Sequence, residues 1–356
     1  MIKMKTPLIP EEGDPRWEFV GNVLRIFDKR KARQIVSKHG IKPLSDSIVM
    51  LKIVLLAMCF ETDITFVISE LRGKASLREF TSVYDVPDAE DIYRILSRFT
   101  LDQFMNMVLR IVNTVCGKRK MGKTIIIGDT TNLTVDLNWL RKKYKKEDLK
   151  DTDYKWAYSK SKGYYIGMKL VLAIEYPSLK PLAFLVFPGG PSDSKIFDKI
   201  VAELMRRRIL RKGDMFVLDK GFYAYKHYTD GLLKYDIIPL IFPRKNFKIE
   251  KVLNSIQLIL DFFCDKADRI KMKIRNLKAI LSEFKQNILN WKEFKPKRSL
   301  IEDVIKVMKK TFSLDKIHRF TLPSVTKQAS LGVVLLGIAI SFGYKEKKQL
   351  QMLAEW

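Results

Sequence analysis

Two aspartates stand where an apolar strand would otherwise continue. Asp129 follows the run IIIG in IIIGDTTN, and Asp219 ends the apolar run in MFVLDKGFY. A carboxylate beside buried strand residues is costly unless a cation or hydrogen-bond donors compensate its charge. A turn carboxylate or a helix cap could explain either residue alone. Because the same pattern occurs twice, it favours a functional site that contains both acids.

The charge of the whole chain indicates the class of partner. The 356 residues contain 66 Lys and Arg against 40 Asp and Glu, a formal net charge of +26. Such an excess favours a polyanion, either nucleic acid or an anionic membrane surface. The two longest apolar runs, near residues 48–60 and 331–344, are shorter than the roughly 20 residues that span a bilayer. They predict buried core helices, and nucleic acid is therefore the expected partner, with no membrane.

The remaining composition predicts a protein of the cytoplasm. Residues 1–17 contain no apolar stretch of the signal-peptide type. The three cysteines form no C-x-x-C pair, which argues against zinc sites and disulfides.

The elements that position the two aspartates begin after residue 120. Residues 1–120 show helical periodicity and predict a helical N-terminal lobe. Its basic residues are either a solvated surface or a DNA-binding surface, and we expect a DNA-binding lobe because the whole chain is basic. These residues are Arg30, Lys31, Arg33, Lys38, Arg72, Lys74 and Arg78.

Strands and helices then alternate. The patterns predict strands over 124–135, 164–176, 181–190, 214–222 and 236–244, with helices over 192–210 and 225–233. The order β-β-β-α-β-α-β predicts an α/β fold with a mixed five-stranded sheet and flanking helices. We assign this catalytic core to residues 121–246 and 296–345. Residues 247–295, helical and Lys-rich, are interpreted as an insertion, and a helix is expected over 299–312.

An ordered set of motifs resembles the DDE transposases of prokaryotic insertion sequences, in particular the insertion-sequence-four type with its Y-(2)-R-(3)-E-(6)-K motif. The chain has Arg298, Glu302 and Lys309 at the required spacing, but Lys295 stands at the tyrosine position, so no role of that tyrosine carries over. The segments GDTTN, SKGYYIGMKLVLAIE, GGPSDSKIF and LDKGFY complete the resemblance, with Phe222 in place of the more usual Tyr.

The resemblance implies an RNase-H-like fold, which the order of elements also fits. In that fold the first and fourth strands are neighbours, so Asp129 and Asp219 are expected to lie together despite their separation in sequence. The insertion lies where such transposases accommodate one.

The last motif helix can be examined without the family. At 100° per residue, Arg298, Glu302 and Lys309 share one stripe within about 40°. An ordinary amphipathic helix with i, i+4 ion pairs would show the same stripe. Together with the two strand aspartates, it favours Glu302 as the third catalytic carboxylate.

The resemblance implies metal-dependent cleavage at transposon ends and strand transfer into target DNA. Asp129, Asp219 and Glu302 would bind two Mg²⁺ ions, with Mn²⁺ as a substitute, because carboxylate oxygens suit hard cations. Arg298 and Lys309 would contact DNA phosphates. Lys160 and Lys162 are either solvated loop residues or further DNA contacts. The expected partners are double-stranded DNA, both transposon ends and target, and a second copy of the chain in an active homodimer.

Three alternatives remain open. A nuclease of the same fold would hydrolyse DNA without strand transfer. A domesticated DNA-binding protein would have lost an acid, whereas all three are present. A basic membrane-associated protein would need an anchor that the sequence does not show.

Overall fold

The first part of the chain is a series of helices with well-defined starts. Asp14 accepts a hydrogen bond from the Arg16 amide at one start, and Thr100 forms a capping box with Gln103 at another. The seven helices are α1 (Pro15–Asp28), α2 (Arg30–His39), α3 (Leu44–Cys59), α4 (Ile64–Gly73), α5 (Ala75–Thr81), α6 (Ala89–Arg98) and α7 (Leu101–Val115).

The structure is a computed structural model. It describes residues 7–39, 42–119, 122–135, 152–159, 163–263, 268–319 and 321–355. The chain forms two compact units. The helical unit contains Met1–Lys118, Val135–Thr152 and Val304–Trp356, and the sheet unit contains Arg119–Thr134 and Asp153–Asp303. The finer division into lobe, core and insertion stays a prediction.

Six strands of the sheet unit form one mixed sheet. They are β1 (Ile125–Val135), β2 (Lys155–Ser159), β3 (Gly163–Tyr176), β4 (Pro181–Pro188), β5 (Met215–Leu218) and β6 (Ile238–Ile241). The sheet order is β2-β3-β1-β5-β6, and β4 pairs with the same strand, β3, as β2 does. β1 runs antiparallel to β3 and parallel to β5, and β5 runs parallel to β6. A mixed sheet flanked by helices is the fold that the sequence predicts.

Five helices follow the meander of β1 to β4. They are α8 (Asp193–Arg206), α9 (Tyr225–Leu233), α10 (Ile249–Phe263), α11 (Asp268–Leu289) and α12 (Lys295–Lys310). α9 and α11 both pack on β6, and α11 buries Ile280, Phe284 and Ile288. The segment interpreted as an insertion therefore packs on β6, the strand at one edge of the sheet.

The structure differs from the sequence prediction by one missed strand and in the bounds of several elements. The edge strand β2 was missed, so the sheet has one strand more than expected. α12 begins at Lys295, four residues before the predicted start, and α8 ends at Arg206.

The last helices belong to the helical unit, which also contains a two-residue strand, β7 (Lys316–Ile317). α13 (Leu322–Ser341) packs on α7, and the Cys116 thiol donates to the Gly337 carbonyl at 3.0 Å; α14 (Lys347–Leu353) follows. At 20 residues α13 is long and apolar enough to cross a membrane, so the expectation that its apolar run is too short was wrong. Because 78% of its most apolar window is buried within the protein, α13 is a core helix, as the sequence predicts.

Candidate active site

Asp129 and Asp219 leave neighbouring parallel strands at the same level. In the ladder of β1 and β5, Gly128 lies opposite Leu218, and each aspartate is the next residue along its strand. Neighbouring strands are separated by about 4.8 Å, so the two backbones hold the acids side by side. A Cβ at residue 128 would lie 2.7 Å from the Leu218 side chain, which explains a glycine there. The expected juxtaposition of Asp129 and Asp219 is therefore present, although β1 continues beyond Asp129 to Val135.

Asp129 carries a carboxylate in a nearly dry position. Its side chain is 14% exposed. One oxygen, Oδ1, accepts from the Thr130 amide at 2.8 Å, and the other, Oδ2, from Nη2 of Arg298 at 2.7 Å. Burial raises the pKa of Asp129 to about 6; Arg298 and the Thr130 amide oppose this rise, and the charge of Asp219 adds to it. Burial therefore outweighs the stabilisation that Arg298 and the Thr130 amide give to the charged carboxylate.

Arg298 joins two of the three predicted carboxylates. It lies in the first turn of α12, with a side chain 15% exposed. Nη2 contacts Asp129 and Nη1 donates to Glu302. Burial alone would lower the pKa of Arg298, but the charges of Asp129, Glu302 and Asp219 raise it overall. Its Nε is buried and has no hydrogen-bond partner among the described residues, so the guanidinium retains a donor for another ligand.

Glu302 lies at the open side of this cluster. Its side chain is 56% exposed, against 15% for Arg298 one helical turn earlier. Lys309, seven residues further along α12, lies with Nζ 3.4 Å from Oδ1 of Asp315. The helix thus brings Arg298 and Glu302 to Asp129, whereas Lys309 contacts a different carboxylate.

Glu283, the other acid of a Lys-rich helix, contacts a residue just before the start of β1. Its Oε2 lies 2.6 Å from Nζ of Lys123, which precedes that strand. Asp129 lies six positions after Lys123, so the two residues are roughly 20 Å apart in an extended strand. Glu283 is therefore remote from the aspartate pair.

The donor set fits a divalent cation in kind. Asp129 and Asp219 offer carboxylate oxygens, the ligands that Mg²⁺ prefers. Within the described ranges, no group of three or more His, Cys, Asp or Glu side chains is close enough to hold one metal ion. Instead, Arg298 lies between Asp129 and Glu302 and supplies the positive charge.

Sequence reasoning assigned no role to Asp193, although it noted the segment GGPSDSKIF. The Asp193 carboxylate accepts from Thr130 Oγ1 at 2.7 Å and from Lys169 Nζ at 2.8 Å, directly beside Asp129. An acid at the first position of a helix after Gly and Pro was a signal, but helix starts commonly have one. Lys160 and Lys162 lie outside the described residues.

The chain matches a known protein family over more than half of its length. The family model described as Transposase DDE domain matches residues 120–336, more than half of the chain. This range includes Asp129, Asp219, Arg298 and Glu302. No curated protein matches the chain. The chain belongs to the family of DDE transposases that insertion sequences encode.

Proposed function

We propose that this protein cuts DNA at the ends of a transposon and joins the freed 3′-hydroxyl to target DNA. The family consists of nucleic-acid-processing enzymes that generally use divalent metals, and DNA is the partner that the family implies. The observation that carries the proposal is the alignment of Asp129 and Asp219 on adjacent strands, with Arg298 connecting Asp129 to Glu302.

The three proposed metal ligands differ in how firmly the fold holds them. Asp129 and Asp219 follow buried strand residues, so their backbones are fixed by the sheet. Glu302 is more exposed and can change rotamer without disturbing the core. We assign Asp129, Asp219 and Glu302 as ligands of two Mg²⁺ ions, with Mn²⁺ as a substitute. When bound, such ions activate the attacking oxygen and stabilise the leaving one.

Arg298 has two roles in this proposal. Without metal it forms ion pairs with both Asp129 and Glu302. In the DNA complex its guanidinium binds a phosphate oxygen near the bond that is cut, because the contacts with Asp129 and Glu302 leave others of its five N–H donors free to do so. Lys309, Lys160 and Lys162 are proposed as further phosphate contacts, and the basic helices of residues 1–120 as the lobe that binds the transposon end.

The subtype is also a proposal. The spacing of Arg298, Glu302 and Lys309 supports the insertion-sequence-four type. At the tyrosine position the chain has Lys295, whose Nζ lies 4.8 Å from the centre of the Trp291 ring. A cation therefore stands where that type has a phenol. The active complex is proposed to be a homodimer in the cytoplasm.

A strand-transfer assay tests the function. Purified protein, a labelled duplex with the element's own end, Mg²⁺ and a supercoiled target should give cleavage and a joined product. Asp129→Asn and Asp219→Asn should abolish both while end binding persists, because the amide keeps the shape and loses the charge. Asp236→Asn, at a half-exposed aspartate paired with Lys212, is the matched control and should stay active.

Three outcomes would contradict the proposal. Cleavage above roughly a tenth of the wild-type rate in either site variant, about 1.4 kcal/mol of barrier, would remove the aspartates from the chemistry. Cleavage without any joined product would identify the nuclease alternative. End binding with no cleavage would identify a DNA-binding protein that has lost its catalysis.

A further inference from the structure

A single carboxylate contacts residues next to both catalytic aspartates. Asp193 is the first residue of α8 and its side chain is 25% exposed. Its Oδ1 accepts from Thr130 Oγ1 at 2.7 Å, and Thr130 is the residue after Asp129. This contact fixes the backbone of β1 at the level of the first acid.

The other oxygen of Asp193 packs on the turn that follows Asp219. A Cβ built on Gly221 would lie 2.4 Å from Asp193 Oδ2, so only a glycine allows this approach. Gly221 belongs to the short 3-10 turn Lys220–Phe222, closed by a hydrogen bond from the Phe222 amide to the Asp219 carbonyl at 3.0 Å. The Asp193 carboxylate therefore packs directly against the turn that follows the second acid.

The charge of Asp193 is already balanced. Lys169 on β3 places Nζ 2.8 Å from Asp193 Oδ1 and 2.8 Å from the Pro191 carbonyl. Successive side chains of a strand point to opposite faces, so Thr130, which Asp193 contacts, lies on the face of β1 opposite to Asp129. Asp193 thus contacts the face of β1 opposite to the Asp129 carboxylate, whereas Arg298 contacts that carboxylate directly.

We propose that Asp193 is a positioning residue that sets the separation of Asp129 and Asp219 and thereby the affinity for divalent metal. The inference rests on the proposed function, because it takes the two aspartates to be metal ligands. The alternative role is purely structural: an acid in the first turn of α8 stabilises that helix through its dipole. The two roles differ in what substitution does to metal binding by the folded protein.

Mn²⁺ binding without DNA, followed by the electron paramagnetic resonance signal of free Mn²⁺, separates the roles. Asp193→Ala and Gly221→Ala should each weaken Mn²⁺ binding by about 10- to 100-fold, as loss of groups that orient ligands generally does. Both variants should regain cleavage when Mg²⁺ is raised by the same factor. Asp198→Asn, also on α8 and bonded by the Tyr235 hydroxyl at 3.2 Å, is the matched control and should bind Mn²⁺ normally.

The double variant gives the sharpest result. Gly221→Ala acts by pressing a methyl group on the Asp193 carboxylate, so Asp193→Ala should remove that pressure. The two losses of affinity should therefore not add, and the double variant should bind Mn²⁺ no worse than Asp193→Ala alone. Circular dichroism melting shows that each variant is folded at the temperature of the measurement.

Three results would overturn the inference. Unchanged Mn²⁺ affinity in folded Asp193→Ala and Gly221→Ala, with a wild type that cleaves, leaves the proposed function intact and makes Asp193 structural. Additive losses would mean that the two residues act separately. A wild type whose Mn²⁺ binding does not depend on Asp129 would remove both the inference and the proposed metal site.

Discussion

Arg298 donates a hydrogen bond from Nη2 to Oδ2 of Asp129 at 2.7 Å, across 169 positions of the sequence. The same guanidinium also donates to Glu302. A cation of the protein itself therefore occupies the space between two carboxylates that are proposed to share metal ions. If metal ions bind these carboxylates, Arg298 has to give up at least part of its contact with them. The guanidinium can then bind a DNA phosphate.

Replacing Arg298 should separate metal binding from catalysis. In Arg298→Ala the competing cation is absent, so Mn²⁺ should bind at least as tightly as to the wild type. Cleavage should nevertheless fall roughly 10- to 100-fold, the loss expected for one charged hydrogen bond to the reacting phosphate. Arg206→Ala, which removes an exposed guanidinium paired with Glu203, is the control. Loss of Mn²⁺ binding together with activity would instead make Arg298 a residue that organises the carboxylates.

The raised pKa of Asp129 predicts how stability changes with pH. In the folded protein the carboxyl group of Asp129 has a pKa of about 6, against an ordinary value of 3.8. Asp129 therefore stabilises the fold only at low pH, and this contribution is lost as pH rises through about 6. The free energy of unfolding of Asp129→Asn, relative to the wild type in EDTA, should increase by about 2 kcal/mol between about pH 4.5 and pH 8, at 1.36 kcal/mol per pKa unit.

Urea unfolding at the two pH values measures this difference. Adding Mg²⁺ at pH 8 should reduce the difference in unfolding free energy between Asp129→Asn and the wild type, because a bound ion stabilises only the wild type. A difference that shrinks as pH rises would mean that Arg298 outweighs burial and that Asp129 ionises readily.

DNA binding should depend steeply on salt. A chain with a formal charge of +26 binds DNA largely by releasing counterions. If about 6 to 10 phosphates are contacted, affinity should fall by roughly 10³ to 10⁵ between about 50 and 200 mM salt. Fluorescence anisotropy with the transposon end gives the slope. A nearly flat dependence would show that the positive charge serves another purpose.

The sheet and its two aspartates could be predicted because their signals are local. β-branched runs mark β1 and β5, and Gly128 and Gly221 stand next to the acids. Once the chain alternates strands and helices, a right-handed crossover places parallel strands side by side. That the returning strand pairs with β1 was implied by the resemblance to the RNase-H-like fold, and the pairing of Gly128 with Leu218 confirms that Asp129 and Asp219 are neighbours.

The contacts that define the site could not be predicted, since they join residues distant in sequence. Nothing in the stripe of α12 shows that Arg298 pairs with Asp129 as well as with Glu302. Asp193 looked like an ordinary helix start until its contacts with Thr130 and Gly221 were seen. The edge strand β2 was missed because KWAYS is short, although its alternating aromatic residues are typical of a strand.

The central claim is that Glu302, and not Glu283, completes the catalytic carboxylates. Arg298 donates hydrogen bonds to both Glu302 and Asp129. Glu283 instead pairs with Lys123, just before the start of β1. The most direct measurement is the Mg²⁺-dependent cleavage rate of the transposon end by Glu302→Gln and Glu283→Gln, prepared and assayed together. The account predicts that Glu302→Gln is as inactive as Asp129→Asn and that Glu283→Gln keeps most of the wild-type rate. An active Glu302→Gln beside an inactive Glu283→Gln would contradict it.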